Sequence, residues 1–200
     1  MRRLLFVITL AAVAAAPLSG QIAWDSPPLI GPASPLGFAA FLTSLSPGDG
    51  IGGLATWRHE TGSLELGYRV AVVEGADSDF ALGGGVDISG VLSAGIEEAD
   101  IQVLWWSGLG AGVGEDVLVS IPVGLVAGWT GSGDDVVFSP YVGGHVALDF
   151  TNIDGDEISF DALLDLGLDL FLVSGWVIRF GASLGGREAL ALGLRLPGGA

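Results

Sequence analysis

Cysteine and lysine are both absent from this chain, and each absence excludes a class of chemistry. Without cysteine the protein can form no disulfide bond and offers no thiolate as a nucleophile or metal ligand. The seven basic residues are all arginine, and 23 Asp and Glu residues give a formal net charge of −16. Because phosphate backbones are held by clusters of Lys and Arg, we expect no nucleic acid among the partners.

Charged residues of either sign are scarce, and so are long apolar runs. Only 15% of the residues are charged and 50% are hydrophobic, whereas soluble domains carry about 25% charged residues. Even so, Asp165, Asp169, Arg179 and runs of glycine interrupt the longest apolar stretches. A charge at the centre of a membrane-spanning helix is costly. We therefore predict that no helix of this chain crosses a membrane.

The first residues have the composition of an export signal. Arg2 and Arg3 precede an apolar run over residues 4–16, which has the length of a signal-peptide core but falls short of the roughly 20 residues of a spanning helix. We predict a signal peptide at residues 1–20, with cleavage somewhere between residues 16 and 23. Residues 21–200 are then long enough for a single domain.

Beyond residue 34 the sequence alternates with a period of two, which is typical of strands. In residues 158–173 the even positions are Ile158, Phe160, Ala162, Leu164, Leu166, Leu168, Leu170 and Leu172, and the odd ones include Ser159, Asp161, Asp165 and Asp169. The pattern predicts about ten strands, with eight as the alternative, at residues 35–44, 51–60, 63–73, 80–93, 99–112, 117–130, 136–151, 158–173, 176–186 and 189–196. Short turns of Gly, Asp and Ser make neighbours antiparallel, and closure into an all-β up-and-down barrel removes the exposed edges.

The composition of the two faces decides which one points outward. One face is uniformly apolar, and the other carries mainly Gly, Ala and Ser with scattered charges. A soluble barrel would need a charged exterior, whereas a membrane barrel turns its apolar face to lipid and its small and polar residues to the lumen. We therefore expect a transmembrane β-barrel in the outer membrane, with lipid as its partner, and we keep a soluble secreted barrel as the rival.

The aromatic residues give an independent indication. If both termini lie on the periplasmic side, the apolar-face aromatics fall into two groups near the two rims, as an aromatic girdle requires. We assign Trp57, Trp129, Phe138 and Trp176 to the periplasmic rim and Phe80, Phe150 and Phe160 to the other. Trp105 and Trp106 fall near the middle of a strand and do not fit this scheme.

A motif at residues 139–150, Ser-Pro-Tyr-Val-Gly-Gly-His-Val-Ala-Leu-Asp-Phe, resembles small outer-membrane β-barrels of the OmpA-type and OmpW-type superfamily. The resemblance extends over residues 21–200 as a pattern, and it implies an exported chain that the barrel-insertion machinery places in the outer membrane. That family commonly ends on an aromatic residue in its last strand. Here the last strand pattern, residues 189–196, ends on Leu196 instead.

The charges on the small-residue face predict an ion-pair network inside the lumen. Its members are Arg58, Glu60, Glu65, Arg69, Asp87, His145, Asp149, Asp161, Asp165, Asp169, Arg179, Arg187 and Arg195. We expect Arg179 to reach Asp169 diagonally and Arg187 to approach Asp161 or Asp165. Buried charges persist when paired, so we expect a structural or interaction role with a lumen largely closed by ion pairs. A narrow passive porin for small solutes or cations is the alternative.

Two further chemistries receive less weight. His145 beside Asp149 is the one pair that resembles catalytic residues. Ala147 stands where a lipid-modifying enzyme would carry its serine, so we rank lipid modification third among the functions. We expect no enzymatic activity and no cofactor. Acidic loops at residues 74–79, 97–100, 115–116, 134–135 and 152–157 could bind Ca²⁺ or Mg²⁺ weakly through carboxylate oxygens, although solvated surface is the favoured interpretation.

Overall fold

A computed structural model describes residues 25–46, 50–74, 80–96, 101–114, 117–151 and 157–197. The predicted signal peptide at residues 1–20 lies outside these residues. The strands are β1 Gly37–Ser46, β2 Gly50–Thr61, β3 Leu64–Glu74, β4 Phe80–Ile96, β5 Ile101–Val113, β6 Val117–Gly128, β7 Gly131–Ser132, β8 Val136–Thr151, β9 Glu157–Leu172, β10 Val177–Gly185 and β11 Glu188–Arg195. The positions agree with the predicted strands to within a few residues at each end.

The strands form one antiparallel sheet that closes on itself. Each long strand pairs with its neighbours in the sequence, β1 pairs with β11, and β6 pairs with β8. The two-residue strand β7 belongs to the β6–β8 connection and pairs only with the start of β8. The wall therefore consists of ten long strands, which confirms the predicted all-β barrel and excludes the eight-stranded alternative.

Burial alternates along the strands as the sequence predicts. In β6 the odd positions from Val117 to Leu125 face outward or lie half-buried, while Leu118, Ser120 and Val126 are buried. The apolar side chains of the other face are exposed, and Ile51, Phe80, Ile158 and Phe160 are the most fully so of the described aromatic and Ile residues, at 65–69%. Within the described residues, no helix is long and apolar enough to cross a membrane.

The two ends of the barrel differ in what they hold, and we name them accordingly. The terminal end is where β1 begins at Gly37 and β11 ends at Arg195; the distal end is where β1 ends at Ser46. Residues 25–36, here called the inner segment, precede β1 and lie inside the barrel, where Asp25, Ser26, Leu29 and Ile30 are almost completely buried. The sequence pattern did not predict this occupant of the lumen.

Candidate functional site: the lumen and its inner segment

The first lumenal charge cluster joins strands β2, β3 and β4. Asp87 accepts hydrogen bonds from Arg58 Nη1 and from Arg69 Nε, each at 2.7 Å. Arg58 Nη2 also donates to the Ser89 hydroxyl at 2.9 Å, and Glu65 lies 3.4 Å from Arg58 Nε. Since Asp87 and both guanidinium groups are buried, one carboxylate offsets two buried cations with the help of Glu65.

A glycine makes this cluster possible. Arg58, Gly67 and Asp87 are register partners on three consecutive strands, so the ion pair spans the strand that lies between its two members. A Cβ atom at Gly67 would lie 2.5 Å from Asp87 Oδ2. The absence of a side chain on β3 therefore leaves the space through which Arg58 reaches Asp87.

The second cluster lies on β9 and β10. Arg179 Nε donates to Asp169 Oδ1 at 2.7 Å and Nη2 donates to Oδ2 at 3.2 Å, which is a bidentate arrangement. Both residues are fully buried. The predicted ion pair is present, but the two residues lie directly opposite each other in the register and not diagonally as expected.

The environment of His145 differs from the expectation. Its Nδ1 lies 2.6 Å from Asp165 Oδ2, and Asp149 instead binds Arg187. The prediction that His145 pairs with Asp149 is therefore wrong. The register partner of His145 on β9 is Leu163, and Asp165, two residues further along β9, reaches the His145 ring diagonally.

This arrangement does not resemble a nucleophile with its general base. Ser183 donates to the other Asp165 oxygen at 2.6 Å, so Asp165 separates Ser183 from His145 instead of orienting a histidine that contacts a serine. His145 Nε2 is buried without a hydrogen-bond partner, and the ring packs at a tilt against Trp106, with 5.3 Å between ring centroids. Trp106 thus belongs to the lumen, which explains why it did not fit the aromatic girdle.

The third charged cluster lies at the distal end. Arg187, in the turn between β10 and β11, donates to three carboxylates: Asp149 at 2.7 Å, Asp25 at 2.9 Å and Asp161 at 3.0 Å. Of the two contacts that we considered for Arg187, the structure has the one with Asp161, whereas Asp165 binds His145 and Ser183. One cation here faces three carboxylates, so this end of the lumen carries an excess of negative charge.

The inner segment runs the length of the lumen and is held by arginines from four places along the wall. Near the terminal end Arg195 Nε donates to the Leu36 carbonyl, and Arg179 Nη2 donates to the Leu29 carbonyl at 2.7 Å. Midway, Arg69 Nη2 donates to the Pro28 carbonyl. Asp25 reaches Arg187 at the distal end and also accepts from Ser120 at 3.0 Å.

Apolar contacts complete the fit of the inner segment. Leu29 joins a buried cluster with residues of strands β1, β2, β3, β6 and β11, among them Phe41 and Leu54. Ile30 joins a second buried cluster with Trp106, Val126 and Tyr141. The segment thereby contacts two apolar patches of the wall, both of which include a residue of β6.

The other predicted site residues lie near the barrel ends. Arg195 is half-buried at the end of β11. Glu60 is exposed, so the prediction that it belongs to the lumenal network is wrong. Trp57, Trp129 and Phe138 lie exposed toward the terminal end, where Trp176 is half-buried; Phe80, Phe150 and Phe160 lie exposed toward the distal end. Trp57 also stacks on Tyr68, with 5.5 Å between centroids, and on His59, with 4.7 Å.

Most of the acidic loops that could bind a divalent cation lie outside the described residues, namely positions 75–79, 97–100, 115–116 and 152–156. Asp134 and Asp135 are described and exposed. Across the described part of the chain, no group of three or more His, Asp or Glu residues is arranged to hold a metal ion. The weak cation site stays a prediction.

No family model matches the chain, and no curated protein matches it. The solved structures that resemble it include a KdgM porin, with 10% identity, a TM-score of 0.42 and coverage of 78% of this chain and 96% of that one. The KdgM porin in complex with disordered oligogalacturonate has 11% identity, a TM-score of 0.43 and the same coverage. A mutant of the Rh. blastica porin has 11% identity, a TM-score of 0.21 and coverage of 79% and 97%.

All three of these structures are porins. The resemblance to the OmpA-type and OmpW-type superfamily stays a prediction as well.

Proposed function

We propose that this chain is an outer-membrane β-barrel with a narrow, porin-like lumen that its own inner segment closes. The observation that supports the membrane location is the exterior: a belt of exposed Leu, Val, Ile and Phe surrounds the barrel, while arginines and carboxylates are buried inside it. In water this exterior would be an unusually large apolar patch. In a bilayer it is the surface that lipid contacts.

The closed state follows from the contents of the lumen. A ten-stranded wall encloses a narrow interior, and here that interior is filled by the inner segment, by the three charged clusters and by the pair of His145 with Asp165. No continuous path for solutes is expected while the segment is in place. The sequence predicts a lumen largely closed by ion pairs, and the proposed closure adds the inner segment to those ion pairs.

A passage becomes available if the inner segment leaves, and the way it is held supports this function. Every pairing of the ten long strands is made without it, so the wall does not depend on it for closure. The contacts that hold it come from side chains, chiefly those of arginine. An opened lumen would keep the three carboxylates Asp149, Asp161 and Asp165 with Arg187 near the distal end, which favours small cations.

Conductance across a planar bilayer tests this function. The full chain should give no channel steps at moderate voltage, whereas the full chain with Leu29→Asp and Ile30→Asp, which places two carboxylates in apolar sockets, should give small cation-selective steps. Ser132→Asp with Ser174→Asp, at exposed positions of the connections at the terminal end, is the matched control for added charge. A heat-dependent shift in gel mobility shows that each variant has folded.

The outcomes separate the candidates. Steps in the inner-segment variant alone support a closed porin-like barrel. A folded inner-segment variant that stays silent contradicts the porin function and leaves the structural or interaction role. Steps of equal size in the unaltered chain contradict closure by the segment. We further propose that lipid and the barrel-insertion machinery are the partners. We also propose that the protein is not an enzyme, because His145 and Ser183 bind opposite oxygens of Asp165 and are not arranged as a base and its nucleophile.

A further inference from the structure

The inner segment is a proline-rich peptide held by the lumen as a receptor holds a ligand. It contains Pro27, Pro28, Pro32 and Pro35 among residues 25–36. Proline has no backbone N–H to donate. Within the segment the Ser34 N–H donates to the Gly31 carbonyl at 3.0 Å, whereas the carbonyls of Pro27, Pro28 and Leu29 take their donors from the wall. Buried inside a barrel, these carbonyls would be costly without such donors.

The wall supplies the donors at the matching positions. Arg69 donates to the carbonyls of Pro27, at 3.5 Å, and Pro28, and Arg179 donates to that of Leu29. These carbonyls follow one another in the sequence, and arginines from opposite parts of the wall, on β3 and β10, hold them. Guanidinium groups suit this task because each presents several donors in a fixed plane.

The wall also has sockets for the side chains of the segment, and glycines form them. A Cβ atom at Gly181 would lie 2.5 Å from Leu29 Cδ2 and 3.0 Å from Pro27 Cγ. A Cβ atom at Gly128 would lie 3.0 Å from Pro32 Cγ. Leu29 itself has a φ of 54°, a conformation that is strained for a non-glycine residue and persists where the surroundings enforce it.

The polarity of the site is fixed as well. Asp25, at the amino side of the segment, bonds to Arg187 and Ser120 at the distal end, whereas Leu36 bonds to Arg195 at the terminal end. A peptide that occupies the same site must therefore carry an acidic group on the amino side of its prolines.

We propose that the lumen is a binding site for proline-rich peptides with an acidic residue ahead of the prolines, and that the inner segment, which turns at Gly31–Ser34, is its resident occupant. This rests on the proposed function only in requiring a folded barrel. A peptide from another chain could displace the segment and take over its contacts with Arg69, Arg179 and Arg187. In this exchange the bound peptide takes the place of the inner segment in the lumen.

Since the chain has no cysteine, a single Leu29→Cys variant of the full chain reports displacement directly. Its thiol should be protected from maleimide while the segment is bound. A synthetic peptide with the sequence of residues 25–36, added in excess to the folded variant in detergent, should speed labelling by about tenfold or more, which corresponds to about 1.4 kcal/mol. The control peptide has the same composition in scrambled order, and a second one carries Asn in place of Asp25.

The scrambled peptide should have no effect, and the peptide with Asn should act more weakly than the parent. Equal acceleration by the scrambled peptide, or none by the parent, overturns the proposal. If the cysteine variant does not fold, the alternative measurement is the fluorescence anisotropy of a labelled peptide added to the folded chain that carries Leu29→Asp and Ile30→Asp. Absence of peptide binding in that measurement also overturns the proposal. Neither readout needs conductance, so a silent channel and an absent peptide site are distinguished.

Discussion

Asp87 is the carboxylate that binds both Arg58 and Arg69 inside the barrel. It accepts from Arg58 and Arg69 at 2.7 Å each, and its side chain and both guanidinium groups are no more than 3% exposed. Asp87→Asn keeps the size of the side chain but removes the charge that both cations face. Breaking a buried ion pair by removing one partner costs about 3–5 kcal/mol, because the other charge stays buried without compensation.

We therefore expect Asp87→Asn to lower the free energy of unfolding by about 3–5 kcal/mol, since two buried guanidinium groups lose the one carboxylate that both contact. The measurement is urea unfolding of the protein in detergent or lipid, followed by tryptophan fluorescence and by the heat-dependent gel shift. Asp134→Asn, at an exposed position of the β7–β8 turn, is the matched control and should change stability by less than about 0.5 kcal/mol. A loss at Asp87 no larger than that of the control would refute the assigned role of this cluster.

Four further predictions concern other parts of the lumen and the outer wall. Leu29→Ala should destabilise the barrel by about 2–5 kcal/mol because it empties a packed socket, and Leu42→Ala on the exposed face should cost much less in urea unfolding. Gly167→Val should prevent recovery of folded barrel, since a Cβ there overlaps the Tyr141 ring; normal yield would contradict the packing. His145→Ala and the unaltered chain should leave the lipid masses of a host membrane equally unchanged, as read by mass spectrometry; a lipid mass that changes only with the unaltered chain would revive the enzymatic interpretation. Among variants that keep one tryptophan, Trp57 and Trp129 should be quenched more strongly by shallow than by deep bromolipids, while Trp106 should be quenched by neither.

The wall could be predicted from the sequence because its pattern is local. Alternation in residues 158–173 fixes which side chains of β9 face outward without knowledge of any partner strand. Short turns then fix the order of neighbours, as at Gly175, where a φ of 84° suits the tight β9–β10 connection. The same alternation placed Arg58, Asp87 and Arg179 on the inner face.

The partners across the lumen could not be predicted in the same way. His145 was assigned to Asp149 because both lie on one strand, whereas its actual partner, Asp165, depends on the exact register of β8 and β9. The inner segment shows neither a period of two nor a helical period. Its burial depends on Arg69, Arg179 and Arg187, which are distant in sequence and which only the closed barrel brings together.

The most direct test of the membrane barrel is fractionation of a Gram-negative host that expresses the chain with its export signal. The exposed Leu and Val of the outer wall predict recovery in the outer membrane, with a band that migrates differently before and after boiling. Recovery as a soluble periplasmic protein whose mobility does not depend on heating would contradict the placement of the apolar face against lipid.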